Sequence, residues 1–222
     1  MHKVYITDYV ENPDIERKIL GKELSIELHS DIEVLIVWHQ TIDGDYLDKL
    51  PKIKGIVRYG VGYDTIDLEE IRKRGLVFCN TPDYGTEEVS DTAIAMLMSI
   101  VRGVHDYDFN SRNFFDNWQE NTLSHIHRTS ELKLGVIGAG RIGTALMRKA
   151  RAIGFNVFFY DPYVQPGYEK AIGVNRYEEL VDLLHFSDVV SIHTPLTSET
   201  KGMVDLNFVS SMKEGASLIN TA

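Results

Sequence analysis

Residues 133–143 read Lys133-Leu134-Gly135-Val136-Ile137-Gly138-Ala139-Gly140-Arg141-Ile142-Gly143. The apolar run Leu134–Ile137 has the composition of a buried strand, and the residues after Arg141 read as a helix to Ile153. Alone, G-x-G-x-x-G is as easily an ordinary glycine turn. Its context is more specific. A second strand, Asn156–Tyr160, ends in Asp161, near the ~20-residue spacing at which a carboxylate meets a ribose. Gly138 would permit the tight turn, Gly140 the approach of backbone N–H groups to a diphosphate, and Gly143 close packing of helix on strand. The helix start adds unpaired donors and partial positive charge, with Ala139, Arg141 and Ile142 completing the loop. Asp161 would bind the adenosine ribose and repel a 2′-phosphate, so NAD is favoured over NADP. The alternative for Asp161 is a strand-end turn before Pro162.

Around this unit the chain alternates strands and helices, the pattern of parallel α/β sheets. Upstream, strands are predicted at Val4–Thr7, Ser25–Leu28, Val34–Trp38, Gly55–Tyr59 and Val77–Asn80. Helices are predicted at Ile15–Lys22, Tyr46–Leu50 and Leu68–Arg74, the last capped by Gly75. A longer helix from Thr86 or Glu87 to Val101 has an acidic first turn and a middle apolar all round, hence buried. From Gly103 to Arg128 periodicity fades into an exposed arm with Phe114, Phe115 and Trp118 as docking points. Downstream, strands are predicted at Asp188–His193 and Ala216–Asn220, with helices at Tyr177–Phe186 and Asp205–Met212. The reading is α/β: a flavodoxin-like domain over 1–101 and a Rossmann domain over 102–222.

Composition narrows the function. The 222 residues carry a net charge of −10 and show no basic stripe, which disfavours a nucleic-acid partner. The most apolar stretch, Ala93–Val101, is far short of the roughly 20 residues that span a bilayer. One cysteine, Cys79, excludes an internal disulfide framework and suits the cytoplasm. The histidines form no metal constellation: His125 and His127 stand in the arm without a Cys or acidic companion, His185 lies in a predicted helix, and His2, His29 and His105 stand apart.

Further motifs follow in order. They are Arg58-Tyr59-Gly60-Val61-Gly62-Tyr63-Asp64-Thr65-Ile66-Asp67, then Asn80-Thr81-Pro82 before Glu87-Glu88-Val89-Ser90-Asp91-Thr92. After them come Ser191-Ile192-His193-Thr194-Pro195-Leu196 with Thr200, and Leu218-Ile219-Asn220-Thr221-Ala222. With the glycine loop, this succession resembles the D-isomer-specific 2-hydroxyacid dehydrogenase family along essentially the whole chain. Glu87-Glu88-x-x-Asp91, Gly154-Phe155-Asn156-Val157 and Phe159-Tyr160-Asp161-Pro162-Tyr163 resemble its C-terminal-binding-protein branch, although bacterial enzymes share much of this sequence.

The resemblance implies hydride transfer between NAD and a small 2-hydroxy or 2-oxo acid. It implies that the amides of Gly60, Val61 and Gly62 hold the substrate carboxylate, with Arg58 as a charged contributor. Those glycines could instead make only a turn, and Trp38 and His39, at a strand end, are read as structural. His193, Thr194, Pro195 and Thr200 would border the cofactor, as would Asn220, Thr221 and Ala222. The arm over 103–128 would embrace a second subunit. The family's catalytic Arg, Glu and His follow the Asn-Thr-Ala stretch, so no catalytic residue is expected within these residues and no turnover from them alone. An NAD(H)-responsive corepressor-like scaffold is the rival reading. A Rossmann domain for another adenine nucleotide is a third, but it leaves the Arg58–Asp67 motif without a purpose.

Overall fold

The computed structural model describes residues 2–8, 10–113, 123 and 126–222, so Phe114, Phe115, Trp118 and His125 of the expected arm lie outside the described residues. The chain divides into two compact units, Met1–Tyr84 and Gly85–Ala222.

In the first unit β1 (Val4–Ile6), α1 (Asp14–Leu20), β2 (Leu24–Ser25), β3 (Val34–Val37), α2 (Gly44–Leu47), β4 (Gly55–Arg58), α3 (Leu68–Lys73) and β5 (Val77–Asn80) follow one another. The strands are all parallel in the order β2-β1-β3-β4-β5, the flavodoxin-like arrangement. Val4, Val34, Gly55 and Val77 share one row of the register. Ile32, Leu35, Val37, Ile56 and Ile71 form the core with Ile42, Leu47, Leu50 and Ile66 from the connections. The starts of α2 and α3 are set by carboxylate caps. Asp43 accepts from Tyr46 N and Asp67 from Glu70 N, each at 2.9 Å. The Asp43 cap is why α2 begins ahead of the expected Tyr46. Gly75, at φ +66°, ends the α3 turn as expected. The strand expected over Ser25–Leu28 stops at Ser25, whose hydroxyl donates to Glu27 O at 2.8 Å and turns the chain off the ladder.

The second unit contains α4 (Thr86–Val101), α5 (Val104–Asn113), β6 (Lys133–Ile137), α6 (Arg141–Ile153), β7 (Asn156–Tyr160), α7 (Tyr168–Ile172), β8 (Asn175–Arg176), α8 (Leu180–Phe186), β9 (Val189–Ile192), α9 (Leu206–Ser211) and β10 (Ser217–Asn220). Its parallel sheet runs β10-β9-β6-β7-β8, which counted within the unit is the Rossmann order 3-2-1-4-5. The boundary falls ahead of α4, and this helix joins the second unit's core through Ala93, Leu97 and Val101.

The expectation of a helix buried all round is corrected. One stripe at i, i+4, i+8 is buried, while Met96 and Ile100 remain 43% and 37% exposed. Lys149 of α6 ties the two helices together, its Nζ reaching Asp91 at 2.6 Å, Ser90 Oγ at 2.7 Å and Glu87 at 2.8 Å. The arm is not irregular throughout. Gly103, at φ +57°, closes α4, and α5 follows as a polar helix with an Asp108–Arg112 pair one turn apart. The helix expected from Tyr177 starts at Leu180, because Tyr177 N still donates to Phe159 O on the sheet at 2.8 Å. Neither α7 nor β8 was foreseen.

Candidate functional site

The glycine loop sits where the second sheet changes direction, between β6 and its neighbours β7 and β9. Gly138 has φ +94°, and a Cβ there would lie 2.7 Å from His193 O at the end of β9. A Cβ on Gly143 would lie 2.0 Å from Gly138 O, so α6 can approach β6 only without one. Gly140 differs: a Cβ would meet nothing within 4 Å. The space over Gly140 is what a diphosphate needs, and α6 opens beneath it with the free N–H groups of its first turn.

Asp161, just past β7, accepts from Ala139 N at 2.8 Å and from Tyr163 N at 2.8 Å. It is thus both the strand-end turn residue and the brace of the glycine loop. Two of its roughly four lone-pair sites are used, which leaves capacity for ribose hydroxyls. The Ala139 amide is spent on Asp161, so the donors left for phosphate begin at Gly140. Thr144 and Tyr168, which the sequence did not single out, support this loop. Thr144 Oγ1 donates to Ala139 O at 3.0 Å, and the Tyr168 hydroxyl lies 2.7 Å from Thr144 Oγ1. Tyr168 was missed because α7 itself was missed. Arg141 is exposed and Ile142 half-buried at the head of α6.

His193 directly follows β9, with Nε2 2.8 Å from Ser191 Oγ and Nδ1 3.5 Å from Thr221 Oγ1. Burial pushes its imidazole down to about 4, so it is neutral at physiological pH. The Thr194 methyl faces Gly138. The Thr200 hydroxyl is committed to Pro195 O at 2.5 Å and Thr197 N at 2.8 Å, which makes it the clasp of that loop. Asn220, Thr221 and Ala222 lie at the carboxyl end of β10, where Asn220 accepts from Ala222 N at 3.0 Å. Gly138–Gly143, Asp161, His193, Thr194 and Thr221 therefore gather at the carboxyl ends of β6, β7, β9 and β10.

In the first unit, Arg58 ends β4 and its Nη1 donates to Tyr59 O. A Cβ on Gly60 would lie 1.9 Å from that Nη1, so the guanidinium lies against the bare Cα of Gly60 and would shift if a side chain were added. Among the described residues Arg58 Nε is buried without a partner. Gly60 N donates back to Arg58 O at 2.9 Å. Of the three amides expected to meet a carboxylate, Val61 and Gly62 are those that donate to nothing among the described residues. Asn80 Nδ2 donates to Val61 O at 2.9 Å, and Thr81 N to Gly60 O at 3.2 Å, clamping the loop from β5. The Tyr59 hydroxyl donates to Glu16 at 3.0 Å and is pushed up to about 12, by burial first and Glu16 second.

Trp38 and His39 follow β3, and their amides, with that of Gln40, bind the Asp8 carboxylate at 2.9, 2.5 and 2.9 Å. Burial acts to raise the Asp8 carboxyl and is outweighed by the hydrogen bonds from Thr7, Trp38, His39 and Gln40, so it lies below its ordinary value. No group of three metal-binding side chains occurs among the described residues, nor does a helix long and apolar enough to cross a membrane.

Comparison with known proteins gives a consistent result. The family model described as "D-isomer specific 2-hydroxyacid dehydrogenase, NAD binding domain" matches residues 94–222. A glyoxylate reductase of Korarchaeum cryptofilum is 36% identical over 206 residues, which cover 91% of this chain and 61% of that protein. A glyoxylate reductase of Thermococcus litoralis is 33% identical, with 99% of this chain and 72% of that protein covered. Among solved structures, D-lactate dehydrogenase from Aquifex aeolicus, complexed with NAD and lactic acid, superposes with a TM-score of 0.87 at 29% identity, covering 100% of this chain and 69% of that one. The chain spans 43–72% of the length of the first curated relatives it matches.

Proposed function

Because this chain belongs to the D-isomer-specific 2-hydroxyacid dehydrogenases, we propose that it carries the cofactor and substrate sites of an NAD-dependent oxidoreductase interconverting a 2-oxo acid and its D-2-hydroxy acid. One observation supports this most: a glycine loop at the sheet's turning point, bare of Cβ atoms at Gly138, Gly140 and Gly143, is braced by Asp161. NAD supplies the hydride chemistry when bound. The chain's own residues bind and orient. The amides from Gly140 to Ile142 face the diphosphate, Asp161 takes the ribose hydroxyls, and neutral His193 with Thr194, Pro195 and Thr221 borders the cofactor. Val61 and Gly62 hold the substrate carboxylate, with the positive charge of Arg58 beneath the loop. Glyoxylate is the first 2-oxo acid to try, since two relatives are glyoxylate reductases.

NADH fluorescence titration tests the cofactor half. Asp161→Ala removes charge-assisted hydrogen bonds of about 1.5–3 kcal/mol, so the dissociation constant should rise roughly 10- to 150-fold. Equal affinities would remove Asp161 from the site.

We also read the protein as a cytoplasmic homodimer that pairs through residues 103–128. The exposure of Val104 and Phe109 on α5, 55% and 56%, supports a covering partner. Light scattering behind size exclusion should give twice the chain mass, and a monomer at micromolar concentration would refute the pairing.

A further inference from the structure

Both shoulders of the Gly60–Gly62 loop are bonded to the chain leaving β3. On one side Tyr59 N donates to Val37 O at 2.7 Å. On the other, Ile42 N donates to Thr65 O and Asp67 N to Ile42 O, each at 2.9 Å, around the fully buried Ile42 side chain. The span between these anchors, Trp38 to Gln40, is held by one carboxylate. Asp8 Oδ1 accepts from Trp38 N at 2.9 Å and from Thr7 Oγ1 at 2.6 Å, while Oδ2 accepts from His39 N at 2.5 Å and Gln40 N at 2.9 Å.

Three successive amides converging on an anion form a nest. This one lies between the ends of β1 and β3, the switch point at which sheets of this topology bind ligands. Here the chain fills it with its own side chain. We propose that Asp8 is a positioning residue: its carboxylate plugs the switch-point nest and, through residues 38–42, sets the substrate loop. Among the described residues no hydrogen bond joins Asp8 to that loop itself. Its influence runs through Val37 and Ile42. The inference rests on reading Val61 and Gly62 as carboxylate donors.

Amide NMR of the 15N-labelled chain, titrated with oxalate as a non-reacting probe of the carboxylate site, separates the possibilities. In wild type the Val61 and Gly62 amides should shift on oxalate. In Asp8→Ala oxalate should bind ~10-fold or more weakly, as a misplaced donor pair implies, and excess formate should restore much of the loss by refilling the nest. Wild type with the same formate should bind oxalate no better. Asp8→Asn keeps the nest filled with one acceptor oxygen, so its smaller loss should not respond to formate, and it serves if Asp8→Ala does not fold.

Wild-type oxalate affinity in a variant, or a loss in Asp8→Ala that formate leaves untouched, overturns the proposal. If the wild-type Val61 and Gly62 amides ignore oxalate, the substrate-loop reading falls and takes the positioning role with it. That failure is distinguishable, because formate would still shift the Trp38–Gln40 amides of Asp8→Ala.

Discussion

Gly143→Ala is expected to cost the second unit ~3 kcal/mol and to reduce NADH binding beyond detection. The added methyl would sit 2.0 Å from Gly138 O, a backbone atom that no rotamer change can move aside. Overpacking of this sort costs about 1–3 kcal/mol, and more where the neighbour is fixed. To relieve it, α6 must withdraw from β6, carrying away the first-turn amides that would face the diphosphate. Gly140→Ala makes the decisive contrast. Its φ of −71° suits any residue, and its Cβ would meet nothing within 4 Å. Its melting temperature should therefore stay near wild type, with about 1 kcal/mol lost for a poorer N-cap. Its NADH affinity should still fall, because the methyl points into the ligand's space. Thermal unfolding and NADH titration of the pair give the answer. A Gly143→Ala protein as stable as wild type would show that helix and strand are not in the contact described.

The second unit should also lose up to about 3 kcal/mol of stability between pH 6.5 and pH 4, through His193. Burial holds the folded imidazole at about 4, against 6.5 when exposed. Between those values the unfolded chain binds a proton that the folded chain refuses, so acid favours unfolding. The contribution is whole above 6.5, declines through the window, and is gone below 4. Urea midpoints at several pH values would trace it. His193→Gln should flatten the slope, since glutamine has no proton to gain. An unchanged slope in that variant would assign the acid response to other groups. The lowered Asp8 carboxyl of the first unit loses its stabilisation only below its ordinary value near 3.8, so its response and that of His193 occupy different pH ranges.

What could be read from the sequence was what is encoded locally. The run from Lys133 through Gly143 to Asp161 is a continuous strand, turn, helix and strand, and each boundary carries its own chemical mark. The apolar runs of β3 and β4 and the glycine after α3 were readable for the same reason. Residues whose meaning depends on distant partners were not. Asp8 is an unremarkable carboxylate until three amides some thirty residues on converge upon it. Tyr168 matters only because α7 brings its hydroxyl to Thr144. The α5 helix escaped because it has no apolar stripe to give a period, only short-range pairs such as Asp108–Arg112. The all-round apolarity of α4 misled in the other direction: composition says how much surface could be buried, and packing decides which stripe is.

Gly60 and Arg58 have a consequence for how such sequences can drift. The guanidinium occupies the volume that any larger residue at 60 would claim. A side chain acquired there pushes the guanidinium end of Arg58 aside, and a lineage that loses the arginine frees the glycine from that contact. The two sites are bound by epistasis, so substitution histories at them should be paired, with order mattering more than either change alone.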